Sequence, residues 1–174
     1  MGRAVSDDAR AHAGQALVTL RRRVDDHFAA ALARSGEAMR CAPGCDACCQ
    51  DGLSAFGIEA DAIKDALAEI ATHDPALRDR IRRQGEAATR SRCALLVDGR
   101  CSVYAVRPLL CRAHGLPLRS DDATIAACSL NFTTRPPDPA SVLEMHAVDA
   151  PLSIMARMWD GGDRIALAEI ARSG

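Results

Sequence analysis

Aromatic side chains make up only 3% of this 174-residue chain. Its core must therefore come from Ala, Leu, Ile, Val and Met, a palette that favours helices. Lysine is scarcer still. Lys64 is the single one, and we attribute the arginine bias to a GC-rich gene rather than to chemistry. Neither sign of charge dominates, since the formal net charge is −1. No global field draws such a chain to nucleic acid or to an anionic membrane. The densest basic run, Arg21-Arg22-Arg23, is followed at once by Asp25 and Asp26, which reads as a solvated helix face. No stretch approaches the roughly 18 apolar residues of a transmembrane helix. The opening "MGRAVSDDARAHAG" lacks the apolar h-region of a secretory signal. Gly2 and Ser6 match the loose myristoylation pattern, but three specified positions are too few to weigh against coincidence. The expectation is a cytoplasmic protein that binds neither nucleic acid nor membrane.

Catalytic signatures are missing too. There is no Ser-His-Asp arrangement and no phosphate-binding glycine loop. Asp25-Asp26 and Asp121-Asp122 read as helix-start or surface carboxylates. The pattern does not say whether the chain is an enzyme.

What is present is a globular composition, 48% hydrophobic and 26% charged, at a length that suits one domain. The expected fold is mainly α: a small helical domain with one short β-hairpin and loops converging on a cysteine cluster. Leu17, Leu20, Val24, Phe28 and Leu32 recur at steps of three and four, which predicts a helix from about Asp7 to Arg34. "LSAFG" is a short extended passage. A second helix is expected over about 58–72, with Ile63, Leu67 and Ile70 on one side. Asp74-Pro75 should cap a third helix reaching about Arg92, with Leu77 and Ile81 inward. Asp98-Gly99 suits a type I′ turn between 94–97 and 101–104. Pro108 opens a short helix that Gly115 closes, and 116–140 reads as loop. "SVLEMHAV" and "PLSIMARMW" suggest one or two helices, with Met145, Met155, Met158 and Trp159 in the core. A last amphipathic helix would carry Ile165, Leu167 and Ile170. The expected divisions are 1–40, an N-terminal helix; 41–130, the cysteine segment; and 131–174, helices packing on it within one globule.

The chain's abundance lies in cysteine. Four of its eight cysteines fall in the nine residues "CAPGCDACC": Cys41, Cys45, Cys48 and Cys49. The others are Cys93, Cys101, Cys111 and Cys128. A disulfide framework, a redox-active pair or a metal site would each use such a run. A reducing compartment and a chain of this length argue against structural disulfides. A thioredoxin-type pair wants a helix start in a βαβ unit, and none is visible. A metal site remains. Cys-x2-Cys on a turn lets two thiolates converge on one ion, and zinc or an iron–sulfur cluster takes four. Eight cysteines supply two such sets. Adjacent side chains point apart, so Cys48 and Cys49 serve two centres, or one sulfur bridges two metals. Cys128 also reads as a small core residue, and His114 as a substitute ligand.

"CAPGCDACC" followed by "CALLVDGRCSVYAVRPLLCR" resembles the YkgJ-type cysteine-cluster family, the CxxCxxCC domain described as zinc- or iron-chelating. The shared positions are Cys45, Cys48, Cys49, Cys93, Cys101, Tyr104, Arg107, Pro108, Cys111 and Arg112, across about residues 41–130. Cys41 stands one residue further from Cys45 than that label implies, and Ala94 replaces a frequent proline. The resemblance implies chelation of a metal ion, as zinc or as an iron–sulfur cluster, by all eight cysteines. On that reading Arg107 and Arg112 offset thiolate charge by donating to sulfur; the alternative is surface salt bridging. Tyr104 reads as a hairpin packing residue. Two roles follow: a metal-holding binding protein, towards which the absence of a substrate constellation inclines the reading, or an iron–sulfur oxidoreductase or component of a protein-modifying enzyme.

Overall fold

A computed structural model describes residues 6–173; Gly2, half of the lipidation pattern, lies outside them. Ser6, its other half, is a helix cap whose hydroxyl accepts the Ala9 N–H at 3.3 Å. The helix it starts, α1 (Asp7–Ser35), carries Asp7 and Asp8 in its first turn and ends at Gly36, where φ is +52°. Acidic residues at the N-terminus suit the helix dipole. Its buried stripe is Ala13, Leu17, Leu20, Val24 and Ala31.

The described residues form six α-helices and seven short strands, so the chain is mainly α as its composition implied. Strand β1 (Ser54–Phe56) leads directly into α2 (Gly57–His73). Helix α3 (Pro75–Glu86) follows, capped by the Asp74 carboxylate on the Leu77 N–H. It stops at Glu86 rather than near Arg92. The Arg90 guanidinium folds back onto the carbonyls of Gln84, Gly85 and Ala87 and satisfies the helix end. The expected hairpin is β2 (Leu96–Val97) with β3 (Arg100–Cys101). Asp98 and Gly99 both have positive φ, +51° and +72°, as a type I′ turn requires. Helix α4 (Leu109–Ala113) comes next.

Beyond α4 the structure departs from the sequence reading. The stretch taken as loop contains β4 (Leu118–Arg119) and β5 (Ile125–Ala126), and "SVLE" is not helix but ends in β6 (Leu143–Glu144). These three form one sheet, ordered β5-β4-β6, in which β4 and β6 run parallel. Two-residue strands carry too few positions to show alternation. Helix α5 (His146–Asp160) is a single helix that runs through Pro151. Proline there removes one backbone donor, and the helix tolerates the loss. Ile165 is not helical. It lies in β7 (Arg164–Ala166), opposite Ala55 of β1, and only α6 (Leu167–Arg172) follows it.

Two main apolar clusters result. One joins Ile63 and Leu67 of α2, Ile81 of α3, Ala94, Leu95 and Val97 around the hairpin, and Leu167 and Ile170 of α6. The other joins the α1 stripe to Leu109 and Ala113 of α4 and to Val148, Leu152 and Met155 of α5. Met155 is thus core as expected, whereas Met158 is 40% exposed. A smaller cluster of Ala31, Met39 and Leu116 closes the far end of α1. Arg22 and Arg23 are exposed as the charge pattern implied, but Arg21 is half-buried. It flanks the buried stripe and donates to the Val106 carbonyl at 3.4 Å.

Helices α3 and α6 touch at Gly85. A Cβ there would stand 2.7 Å from the Ala168 carbonyl oxygen and 2.9 Å from the Arg172 nitrogen, both backbone atoms. Replacing a helical glycine by alanine gains up to ~1 kcal/mol, and less at a helix end such as this one. The clash outweighs that gain, since overpacking costs ~1–3 kcal/mol. Gly85→Ala should lower unfolding stability by about 1 kcal/mol or more in urea titration. A stabilised variant would show that the two helices are not in such close contact.

Candidate metal centre

The cysteine-rich segment is built from successive tight turns. The Cys45 N–H donates to the Ala42 carbonyl (3.0 Å), Cys49 to Asp46 (2.9 Å) and Gln50 to Cys48 (2.9 Å). Gly44, at φ +90°, supplies the left-handed position within this segment. Downstream, Asp46 is ion-paired with Arg92, and Gln50 and Arg92 form an antiparallel bridge. These contacts lead to a direct backbone link, in which the Cys93 N–H donates to the Cys49 carbonyl at 2.9 Å. Leu96 N–H then donates to the Cys93 carbonyl at 3.0 Å, and Leu96 pairs with Cys101 across the hairpin. Cys49, Cys93 and Cys101 are thereby connected through consecutive main-chain hydrogen bonds.

Cys111 reaches the same neighbourhood on α4. Its N–H donates to the Pro108 carbonyl at 2.9 Å, and α4 itself is held at both ends. The Leu109 N–H donates to Glu59 Oε1 at 2.7 Å. Glu59, 1% exposed, also receives the Phe56 N–H at the start of α2 (3.3 Å). Arg112, 6% exposed, donates to the Arg107 carbonyl at 3.0 Å, to the Ala105 carbonyl and to Asp25 of α1.

Of the remaining cysteines, Cys41 and Cys128 are tied together by Asn131, which no sequence signal marks. Asn131 is 5% exposed. Its Oδ1 accepts the Arg40 N–H (2.8 Å), and its Nδ2 donates to the Gly115 carbonyl (2.7 Å) and to Cys41 Sγ (3.3 Å). Its own N–H donates to the Cys128 carbonyl at 2.8 Å. One residue on, Phe132 donates to the Ala38 carbonyl at 2.7 Å. A single asparagine thus joins the backbone before Cys41, the end of α4 and the Cys128 turn. No periodicity marks it, because its partners lie in three separate loops. Gly115, at φ +101°, leaves room for Cys41 Sγ, which a Cβ at that position would strike. Glycine is required there twice over, by backbone and by space.

Electrostatics put Cys45 and Cys128 beside Cys41, and put Cys48 beside Cys41 and beside Cys93, Cys101 and Cys111 as well. Burial pushes the Cys41 thiol up, Asn131 partly offsets this, and Cys45, Cys128 and Cys48 add to the rise. Burial likewise raises Cys93 and Cys101, and it takes Cys111 up to about 12, with Cys93, Cys101 and Cys48 contributing. At the seam the Cys48 and Cys49 thiols hydrogen-bond. That interaction raises Cys48 and lowers Cys49. All eight cysteines are free thiols. Among the described residues no three Cys, His, Asp or Glu side chains form a ready-made metal-ligand group. The sulfurs stand as neighbours rather than as a closed cage.

Arg107 and Arg112 do not hydrogen-bond sulfur. Arg107 donates to the Tyr104 carbonyl (2.9 Å), pairs with Asp25 at 3.5 Å and lies 3.9 Å from the centroid of the Tyr104 ring. Its charge still partly offsets the rise at Cys101. Tyr104 is 63% exposed, so it serves as a stacking surface for Arg107 rather than as packing within the hairpin. His114 ends α4 half-buried, and burial lowers its pKa.

A thiol-rich site on loops between helices defines a metal-chelating class of domain, and comparison with known families agrees. The CxxCxxCC family model, described as a "putative zinc- or iron-chelating domain", matches residues 40–129. That is just over half of the chain, which belongs to this family. No curated protein and no solved structure matches it.

Asn131→Ala removes the partners of the Arg40 N–H and the Gly115 carbonyl. Each buried polar group left unpaired costs ~1–3 kcal/mol. The variant should lose at least about 2 kcal/mol of unfolding stability, and the Cys41 thiol should react faster with a thiol-labelling reagent. Wild-type values for both would remove Asn131 from this role.

Proposed function

We propose that the protein chelates two metal centres, each with four thiolates. Cys49, Cys93, Cys101 and Cys111 form one set; Cys41, Cys45, Cys48 and Cys128 form the other. The observation that supports this reading is that Cys93, Cys101 and Cys111 neighbour Cys49 while Cys45 and Cys128 neighbour Cys41, with Cys48 beside both groups. The Cys48 and Cys49 thiols lie against each other rather than pointing apart as expected of adjacent side chains, so the two centres would meet at this dipeptide. The donor set fits the group, because thiolates are soft ligands and four of them suit zinc and iron–sulfur clusters alike.

When bound, the metal supplies cohesion to loops that have few apolar contacts of their own. Binding by thiolate sites commonly contributes on the order of 10 kcal/mol, comparable to the whole stability of a domain. The chain's own residues orient the sulfurs and release their protons as the metal enters. Such sites need reduced thiols, which suits a reducing compartment such as the cytoplasm. Among the described residues no helix is long and apolar enough to cross a membrane.

Elemental analysis and an absorbance spectrum of anaerobically purified protein test the reading together. The expected result is two zinc ions per chain in a colourless sample, or iron and sulfide for two clusters in a brown one. A chain that binds no metal would overturn it. Cys48→Ser and Cys111→Ser should each yield metal-depleted, poorly soluble protein, whereas Cys128→Ser, on a polar loop, should keep more metal. Full metal content and a wild-type melting temperature in Cys48→Ser would show that the run does not chelate.

A further inference from the structure

Helix α4 has five residues, too few to hold a helical conformation or a position without outside contacts. Its N-cap, Pro108, makes no side-chain cap, so the first N–H of the helix, on Leu109, depends on an acceptor from elsewhere. That acceptor is Glu59 Oε1 at 2.7 Å, 50 residues earlier in the chain and in the first turn of α2. The other oxygen, Oε2, accepts the Phe56 N–H at 3.3 Å. Glu59 is buried, at 1% exposure. A buried carboxylate is costly unless its oxygens are met, and an apolar side chain would fill the same place without that cost. Here both oxygens are engaged, by the starts of two different helices. Cys111 lies two residues beyond Leu109 on α4, and its thiol neighbours Cys93, Cys101 and Cys48.

We propose that Glu59 is the positioning residue for Cys111: by holding the first N–H of α4 against the start of α2, it fixes the backbone that presents the Cys111 sulfur to Cys93 and Cys101. This rests on the chelation reading above, and needs only that Cys111 be a ligand, whatever the number of centres. Leu109 and Ala113 of α4 belong to the apolar cluster of α1 and α5. Cys93 and Cys101 pack against the other cluster, that of α2, α3 and α6. Glu59 is a hydrogen-bonded tie between the two, and hydrogen bonds fix a register that apolar contact alone lets slide. The role needs a carboxylate of this length. Glutamine has one acceptor and would turn its NH₂ towards the second N–H. Aspartate keeps two acceptors but is one methylene shorter, so it serves the Phe56 N–H three residues back and does not reach Leu109.

Glu59→Asp and Glu59→Gln are compared with wild type and with Gly85→Ala, which disturbs the α3–α6 contact and leaves α4 untouched. Each full-length protein, reduced and metal-free, is titrated with Co²⁺ while the thiolate-to-cobalt absorption is followed. Hydrogen–deuterium exchange of the metal-free proteins is read over 105–113 and over 94–101. In both Glu59 variants, exchange over 105–113 should accelerate while 94–101 keeps the wild-type rate. Their cobalt affinity should fall about tenfold, the low end of what the outer partners of a metal ligand contribute. Gly85→Ala should bind cobalt as wild type does. If Glu59→Gln does not fold, Glu59→Asp, which retains the cap of α2, decides alone. Unchanged cobalt affinity in the folded Glu59 variants, or an equal loss in Gly85→Ala, would overturn the proposal while leaving chelation intact. A wild-type chain that takes up no cobalt, zinc or iron would instead defeat the chelation reading, and the proposal with it.

Discussion

A cysteine sulfur sits one bond beyond Cβ, so its position is set almost wholly by backbone. A longer ligand such as histidine reaches further to meet a metal than a thiol, which moves only by turning about χ1. Bringing eight of them together therefore demands that loops far apart in sequence be fixed at main-chain level, and the structure shows how this is done. The Cys93 N–H meets the Cys49 carbonyl, the hairpin brings Cys101 round opposite Leu96, and Asn131 ties Cys41, Gly115 and Cys128 into one knot. These are few bonds for so much chain. Their sparseness fits sulfurs that are neighbours without forming a cage.

The arginine network works to the same end from the helical side. Burying a guanidinium costs several kcal/mol unless its donors are met. Arg112 meets its cost through two carbonyls and Asp25, while Arg107 shares the same carboxylate. The result joins α1 to the segment that carries Cys111. Glu59 does the equivalent for α2 and α4 by accepting an N–H from the start of each. Its charge partly offsets the lowering that burial imposes on Arg21 and Arg112. A buried acid with two fixed donors defines an angle between two helices more sharply than apolar contact does.

Much of this was legible in the sequence. Long-period signals carried through: the 3.6-residue stripe of α1, the Asp74-Pro75 start of α3 and the Asp98-Gly99 turn all appear where their physical causes place them. The cysteine spacing pointed to the right family. What failed to show depended on distant partners. The premature end of α3 comes from Arg90 reaching back, the strands β4 to β6 are too short for a pattern, and Ile165 joins β1 from more than a hundred residues away. Asn131 is the sharpest case. A lone polar residue in a polar loop reads as solvated until three separate segments close around it.

The Arg-Pro-x2-Cys-Arg stretch takes on a clearer meaning in this light. Arginines beside metal thiolates invite the idea that they donate to sulfur. In this chain Arg112 spends its donors on the carbonyls of Ala105 and Arg107 and on Asp25, and Arg107 spends its own on Tyr104 and Asp25. Pro108 presents its carbonyl to both Cys111 and Arg112. Arg112 thus acts on Cys111 through the backbone turn that displays it. Arg107 adds a positive charge that Cys101 feels without a direct bond. Lysine could mimic that charge but not the planar, multiply donating fork that Arg112 uses to hold one turn against another helix.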